Sequence, residues 1–236
     1  MQISSPQRKF PTLIALHGAG MNASVWEPLK ETLALQALDF PGHGEDKTRP
    51  LSSLEDMAQW VMHRIDGPCV LIGHSMGALA ALEASTHPAV VGLILLGAAA
   101  AMPVHPDLLK QARENPTAAA DLILKWGIYA AHPDAPRLRA DLKDLMTKEA
   151  TALASDLSAC DAYRGGEAAA RAFSKPVLVL AGENDKMAGD GGGAVLVNMF
   201  ASAQLLTLPA TGHMIMAENP ALTAIAIKKF LQEISA

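Results

Sequence analysis

Five residues, Gly73-His74-Ser75-Met76-Gly77, place a serine hydroxyl between two glycines. The run before them, Pro68-Cys69-Val70-Leu71-Ile72, is apolar and strand-like, and the run after them, Ala78-Leu79-Ala80-Ala81-Leu82-Glu83, favours a helix. Strand, sharp turn and helix with the serine at the turn make the G-x-S-x-G elbow, whose central residue is backbone-strained and whose neighbours must be small. A serine presented in this way can attack a carbonyl carbon. It then needs a base to take its proton, an acid to orient that base, and N–H donors for the oxyanion. The chain has eight histidines, four of them after Ser75. His87, His105 and His132 are each followed closely by proline, whereas His213 stands in Thr211-Gly212-His213-Met214, a loop just beyond the last apolar run. Two carboxylates, Glu183 and Asp185, follow the apolar run that ends at Gly182.

The elements that must position these groups can be read along the chain. Residues 12–17 form a short buried strand by length and β-branching, ending in Gly18-Ala19-Gly20-Met21-Asn22-Ala23 before a helix that opens at Ser24. Residues 35–40 form a weaker strand that stops at Pro41-Gly42-His43-Gly44. Ser52-x-x-Glu55 reads as a capping box, and behind it Leu54, Met57, Ala58, Val61, Met62 and Ile65 recur at the spacing of a one-faced helix. The elbow strand and its helix follow, then a fourth strand over residues 90–96. From 101 to 174 strands vanish, and short helices punctuated by Pro103, Pro106, Pro116, Pro133 and Pro136 fit best. Residues 175–182 resume the strand pattern, followed by a helix over 194–201, a strand over 204–208 and a last helix over 220–234. In that helix Leu222, Ile225, Ala226 and Phe230 are expected to mark the buried face. Strands alternating with helices imply right-handed βαβ units and a mostly parallel sheet of about six strands covered on both faces. In such a sheet the loop of His213 lies at the same edge as the elbow, where ligands bind.

The elbow, the order of the later residues and the run Gly212-His213-Met214-Ile215-Met216-Ala217-Glu218-Asn219-Pro220 resemble the α/β-hydrolase superfamily over nearly the whole chain. The resemblance implies an α/β-hydrolase fold with residues 1–100 and 175–236 as core and 101–174 as a helical cap over the site. It implies the chain order Ser75 as nucleophile, Asp185 as acid and His213 as base, Asp185 matching the family's G-x-x-D spacing better than Glu183. The run Gly97-Ala98-Ala99-Ala100, the family's other place for the acid, holds no carboxylate. The oxyanion donors are then the backbone N–H groups of Met76 and Ala19. His17, His74 and the turn Asp39-Phe40-Pro41-Gly42-His43-Gly44 are expected to be structural. One departure concerns the N-terminus: the family's antiparallel strand pair is absent or reduced to one short strand in the 11 residues before Thr12.

A rival class is legible in the same sequence. Gly18-Ala19-Gly20-Met21-Asn22-Ala23 is also G-x-G-x-x-A, and Asp39 falls 21 residues after Gly18, as in a dinucleotide fingerprint. A histidine precedes the first glycine, no Tyr-x-x-x-Lys pair exists, and the elbow is left unexplained, so an NAD-dependent oxidoreductase is the weaker reading. A silent binding protein on the same fold is the other alternative. The net charge of -5 argues against a nucleic-acid partner, and no apolar run suggests a membrane span or a signal peptide, so a cytoplasmic protein is expected. Cys69 and Cys160 form no framework or metal motif, and neither metal nor cofactor is implied. The expected activity is hydrolysis of a carboxylic ester of a small to medium apolar acyl group through an acyl-enzyme. The same triad could serve thioester, lactone or C–C bond hydrolysis, and the oligomeric state is left open.

Overall fold

A computed structural model describes residues 11–189 and 191–234. The expectation about an N-terminal edge strand falls on residues outside that range. β1 (Thr12–Leu16) leads through a 3-10 turn (Ala23–Trp26) and α1 (Glu27–Lys30) to β2 (Leu35–Leu38), α2 (Leu54–Met62), β3 (Cys69–His74), α3 (Met76–Ala84) and β4 (Val90–Leu96). Five helices intervene: α4 (Pro106–Glu114), α5 (Pro116–Gly127), α6 (Ala135–Lys148), α7 (Ala150–Ala162) and α8 (Gly166–Ala172). β5 (Val177–Gly182), α9 (Gly192–Val197), β6 (Ala203–Leu208), α10 (Ile215–Glu218) and α11 (Pro220–Ile234) complete the order.

The six strands lie in the order β2-β1-β3-β4-β5-β6, and every pair is parallel. Alternate residues of each strand face opposite sides. Ala15, Ile72, Ile94 and Leu180 meet Trp26, Leu29, Ile227 and Phe230 on one face, while Leu16, Leu71, Leu95 and Val179 meet Leu54, Met57 and Leu79 on the other. The chain runs outward from β1 to β2, then crosses back to β3 and proceeds the other way. The reversal opens a crevice between the carboxyl ends of β1 and β3, the place where open α/β sheets bind ligands. Those two ends carry Gly18-Ala19-Gly20 and Ser75.

Three local expectations shift. The α2 cap is Ser53, whose hydroxyl accepts from Asp56 N–H at 3.0 Å, not Ser52 with Glu55. Leu54 is fully buried as the first helical residue, so the capping position falls one residue later. The helix placed over 194–201 runs from Gly192 to Val197, beginning two residues earlier and ending four earlier. In α11 the buried face is Thr223, Ala224, Ala226, Ile227, Phe230 and Leu231, whereas Leu222 and Ile225 are exposed. Apolar residues surround the first turns of that helix, so periodicity alone does not fix its rotation. Thr223 can face inward because its hydroxyl donates to the Asn219 carbonyl at 2.7 Å.

Candidate active site

Ser75 has φ 53° and ψ -116°, a conformation a side chain adopts only when its surroundings impose it, at a cost of about 1–3 kcal/mol. The surroundings here are backbone. A Cβ on Gly73 would lie 2.2 Å from the Gly77 carbonyl oxygen, and one on Gly77 would lie 2.3 Å from that of Leu16. The turn therefore closes only with glycine at both positions. Gly73→Ala should lower stability by at least ~1–3 kcal/mol, read as a fall in the thermal unfolding midpoint, because the added carbon meets rigid backbone. Ser75 N–H donates to the Leu96 carbonyl at 3.0 Å, which ties the elbow to β4.

Asp185 and His213 come together, and His213 lines the same pocket as the serine. His213 Nδ1 donates to Asp185 Oδ2 at 2.8 Å, and both side chains are buried. Asp185 Oδ1 accepts from Met187 N–H at 2.8 Å and Ala188 N–H at 3.1 Å. Burial by itself would raise the Asp185 pKa, but the His213 charge and these hydrogen bonds pull it down to about 2. Glu183 lies elsewhere: exposed, it accepts from Ala210 N–H at 3.2 Å. With Nδ1 donating, His213 Nε2 carries the lone pair, and it is buried with no hydrogen-bond partner among the described residues. Ser75, His213, His74 and Ala19 all line one pocket of about 210 Å³. Met76 opens α3, where the first N–H groups have no acceptor within the helix.

His17 and His74 are bound into the frame. His17 Nδ1 donates to the Gly18 carbonyl at 2.9 Å and Nε2 accepts from Phe40 N–H at 3.2 Å, so its ring braces the loop after β1. His74 Nε2 donates to the His213 carbonyl at 3.0 Å. Burial pushes both rings down to about 3, which keeps them neutral. Asp39, the acid of the dinucleotide reading, accepts from Ala23 N–H at 2.6 Å.

Residues 13–226 match the alpha/beta hydrolase family. The chain belongs to that family. A pimeloyl-[acyl-carrier protein] methyl ester esterase of Vibrio vulnificus (strain YJ016) is 34% identical over 87 residues, 35% of this chain and 34% of that protein. The chain thus spans about a third of the length of that curated relative. The protein of the same name from Xylella fastidiosa (strain M12) is 27% identical over 225 residues, covering 86% of this chain and 88% of its own. Among solved structures, the enol-lactonase from Burkholderia xenovorans LB400 superposes with a TM-score of 0.86. It covers 98% of this chain and 95% of that one at 24% identity, a likeness of fold.

For this α/β-hydrolase, motif and spacing do not reveal the groups that hold the loops. Glu218 is buried, and its carboxylate accepts from the N–H groups of Tyr129 at 2.8 Å, Gly212 at 2.9 Å and Met214 at 3.0 Å. His213 N–H donates to the Gly127 carbonyl at 2.6 Å, and His132 Nε2 donates to that of Glu218 at 2.9 Å. The end of α5 and the turn beyond it are thereby tied to the histidine loop. Glu149, also buried, accepts from Asn22 Nδ2 at 2.6 Å and from Gly44 N–H at 3.2 Å. Buried carboxylates are rare without such partners. A carboxylate before Asn-Pro or between helices carries no local signal of that role.

Proposed function

We propose that this α/β-hydrolase cleaves carboxylic esters through an acyl-enzyme. Ser75 attacks the carbonyl carbon, and its proton passes to His213 Nε2. The oxyanion is held by the N–H groups of Met76 and Ala19. His213 then returns the proton to the leaving alcohol, and water repeats the sequence to release the acid. Asp185 keeps His213 in the tautomer that leaves Nε2 free and stabilises the imidazolium. The observation that carries this reading is the buried 2.8 Å pair of Asp185 and His213, of which His213 lines the same pocket as Ser75. The names of the relatives, which specify a methyl ester, support an ester in particular.

Residues 101–174, read as the cap, supply much of the acyl wall. Met102, Leu108, Ile123 and Leu157 line the pocket from there and Met21, Met187 and Met214 from the core, while exposed Trp126, His105 and Lys186 also line it. Leu124, Leu142, Met146 and Leu153, equally apolar in sequence, are used up in the interior. A pocket of about 210 Å³ is small beside the ~300–1,000 Å³ of sites for drug-sized ligands. Such a wall gains ~0.8 kcal/mol per buried methylene with little directional discrimination. Short to medium aliphatic acyl groups fit it. The test is a p-nitrophenyl ester series from acetate to palmitate, run beside methyl esters, thioesters and lactones. The optimum should fall among short to medium chains. An optimum at the longest chains counts against the acyl-pocket reading, and hydrolysis of no ester in the panel overturns the activity.

A further inference from the structure

Helix α7, which gives Leu157 to the acyl wall, also reaches the loop after β1. Asp156, in the middle of that helix, is completely buried. Its Oδ2 accepts two hydrogen bonds, from Gly20 N–H at 2.8 Å and from His43 Nε2 at 2.9 Å. Gly20 follows Ala19, whose N–H is an oxyanion donor in the proposed mechanism. Its φ of 63° is open to glycine, and a Cβ there would lie 2.7 Å from Leu153 Cδ1 and 3.3 Å from Met146 Cε. The loop after β1 is therefore pressed directly beneath α6 and α7, with Asp156 accepting the N–H of its central peptide.

His43 completes the arrangement. Its Nδ1 faces the Pro41 carbonyl at 3.2 Å while Nε2 faces Asp156. Both partners only accept, so the ring satisfies both only with a proton on each nitrogen. The other titratable groups around it are Glu149, whose carboxylate adds attraction, and His17, whose ring centroid lies 4.7 Å away. Burial would lower the His43 pKa, but the hydrogen bond and charge of Asp156 outweigh it and the net direction is upward. The stability that this raised pKa contributes is full below the ordinary 6.5 and is lost as pH rises through the raised value.

We propose that Asp156 is a positioning residue of the oxyanion hole, fixing from the helical segment the peptide between Ala19 and Gly20. Pinning that peptide leaves the loop one orientation, and so sets the direction of the Ala19 N–H. A preformed donor stabilises the developing oxyanion without reorganisation, whereas a loop free to turn must be ordered in the transition state. On this view the helices over the site are part of the catalytic frame: α7 cannot lift away without withdrawing the acceptor from Gly20. The proposal rests on the acyl-transfer reading of Ser75 and Ala19.

The experiment measures kcat and KM on the preferred p-nitrophenyl ester, per active site titrated with a fluorophosphonate. Asp156→Leu should lower kcat about 10²-fold, the loss that a misplacement of about an ångström produces, with KM within about threefold. Asp156→Asn keeps a carbonyl oxygen that can stand in the place of Oδ2 and accept from both Gly20 N–H and the Nε2–H of a neutral His43, so it should recover most of the loss. A purely structural role would reduce the yield of titratable sites and leave kcat per site alone. Wild-type kcat per site in Asp156→Leu overturns the proposal, as does an equal fall in Asp156→Asn, which would assign the effect to charge. If Asp156→Leu does not fold, Asp156→Ser, one bond too short to reach Gly20 N–H, takes its place: the same loss of kcat supports the proposal and wild-type kcat per site overturns it. Ser75→Ala is run alongside. If it retains turnover, the esterase reading fails and this inference falls with it; if it is inactive while Asp156→Leu is not, this inference alone fails.

Discussion

Ser75→Ala should lose ester turnover by on the order of 10⁴-fold or more, the scale on which removal of a triad nucleophile acts. It should also lose all labelling by a fluorophosphonate, which the wild-type protein takes once, on the peptide containing Ser75. The fold should survive. Alanine meets the same strain at φ 53° that serine does, and the backbone bonds that hold the elbow, from Ser75 N–H to Leu96 and from Ala78 N–H to Ser75, involve no side chain. An unchanged thermal unfolding midpoint beside a silent site is thus the expected pair of results. Full turnover by the variant would remove Ser75 from the chemistry.

Asp185→Asn should lower kcat by about 10³–10⁴-fold with little change in fold, while Glu183→Gln should leave kcat near wild type. The reason is the tautomer. The carbonyl oxygen of the introduced amide can still accept from Met187 and Ala188, but its NH₂ then meets His213 Nδ1, which must become the acceptor. The proton moves to Nε2, the nitrogen that has to receive one from Ser75. The variant should also lose an acid-side dependence of stability. A carboxylate held at about 2, below its ordinary 3.8, contributes stability present above the ordinary value and lost as pH falls through the lower one. Thermal unfolding followed down this range should show a smaller slope in Asp185→Asn than in the wild type. If Glu183→Gln proves the more damaging change, the acid has been misassigned.

The parts of this protein legible in its sequence are those whose physics is local. The elbow can be read because its strain and its cure, Gly73 and Gly77, lie within five residues of one another. The strands can be read because a parallel sheet buried on both faces demands continuous apolar runs, and residues 69–72, 90–96 and 177–180 are such runs. Loops at the carboxyl ends of strands share an edge, so the order of the strands is enough to bring Ser75, Asp185 and His213 near one another. Local signals fail where two neighbouring answers are nearly equal, as with Ser52 against Ser53 or the rotation of α11.

What the tertiary structure alone decided is the fastening of the site. Asp156 reaches Gly20 across 136 residues, Glu149 reaches Asn22 across 127, and Glu218 reaches Tyr129 across 89. Each is a carboxylate accepting an N–H, and two of these donors are backbone groups, which every residue but proline carries. No spacing or residue type announces such a bond. In sequence Glu149 and Asp156 fall in the helical segment 101–174 and Glu218 in the histidine loop, and nothing about them there marks a hydrogen-bond partner so far along the chain. Only the packing of α6 and α7 onto the loops after β1 and β2, and of the turn beyond α5 onto the histidine loop, excludes water from them. A carboxylate so enclosed must take its hydrogen bonds from whatever protein donors remain, and here those donors belong to the loops that hold the site.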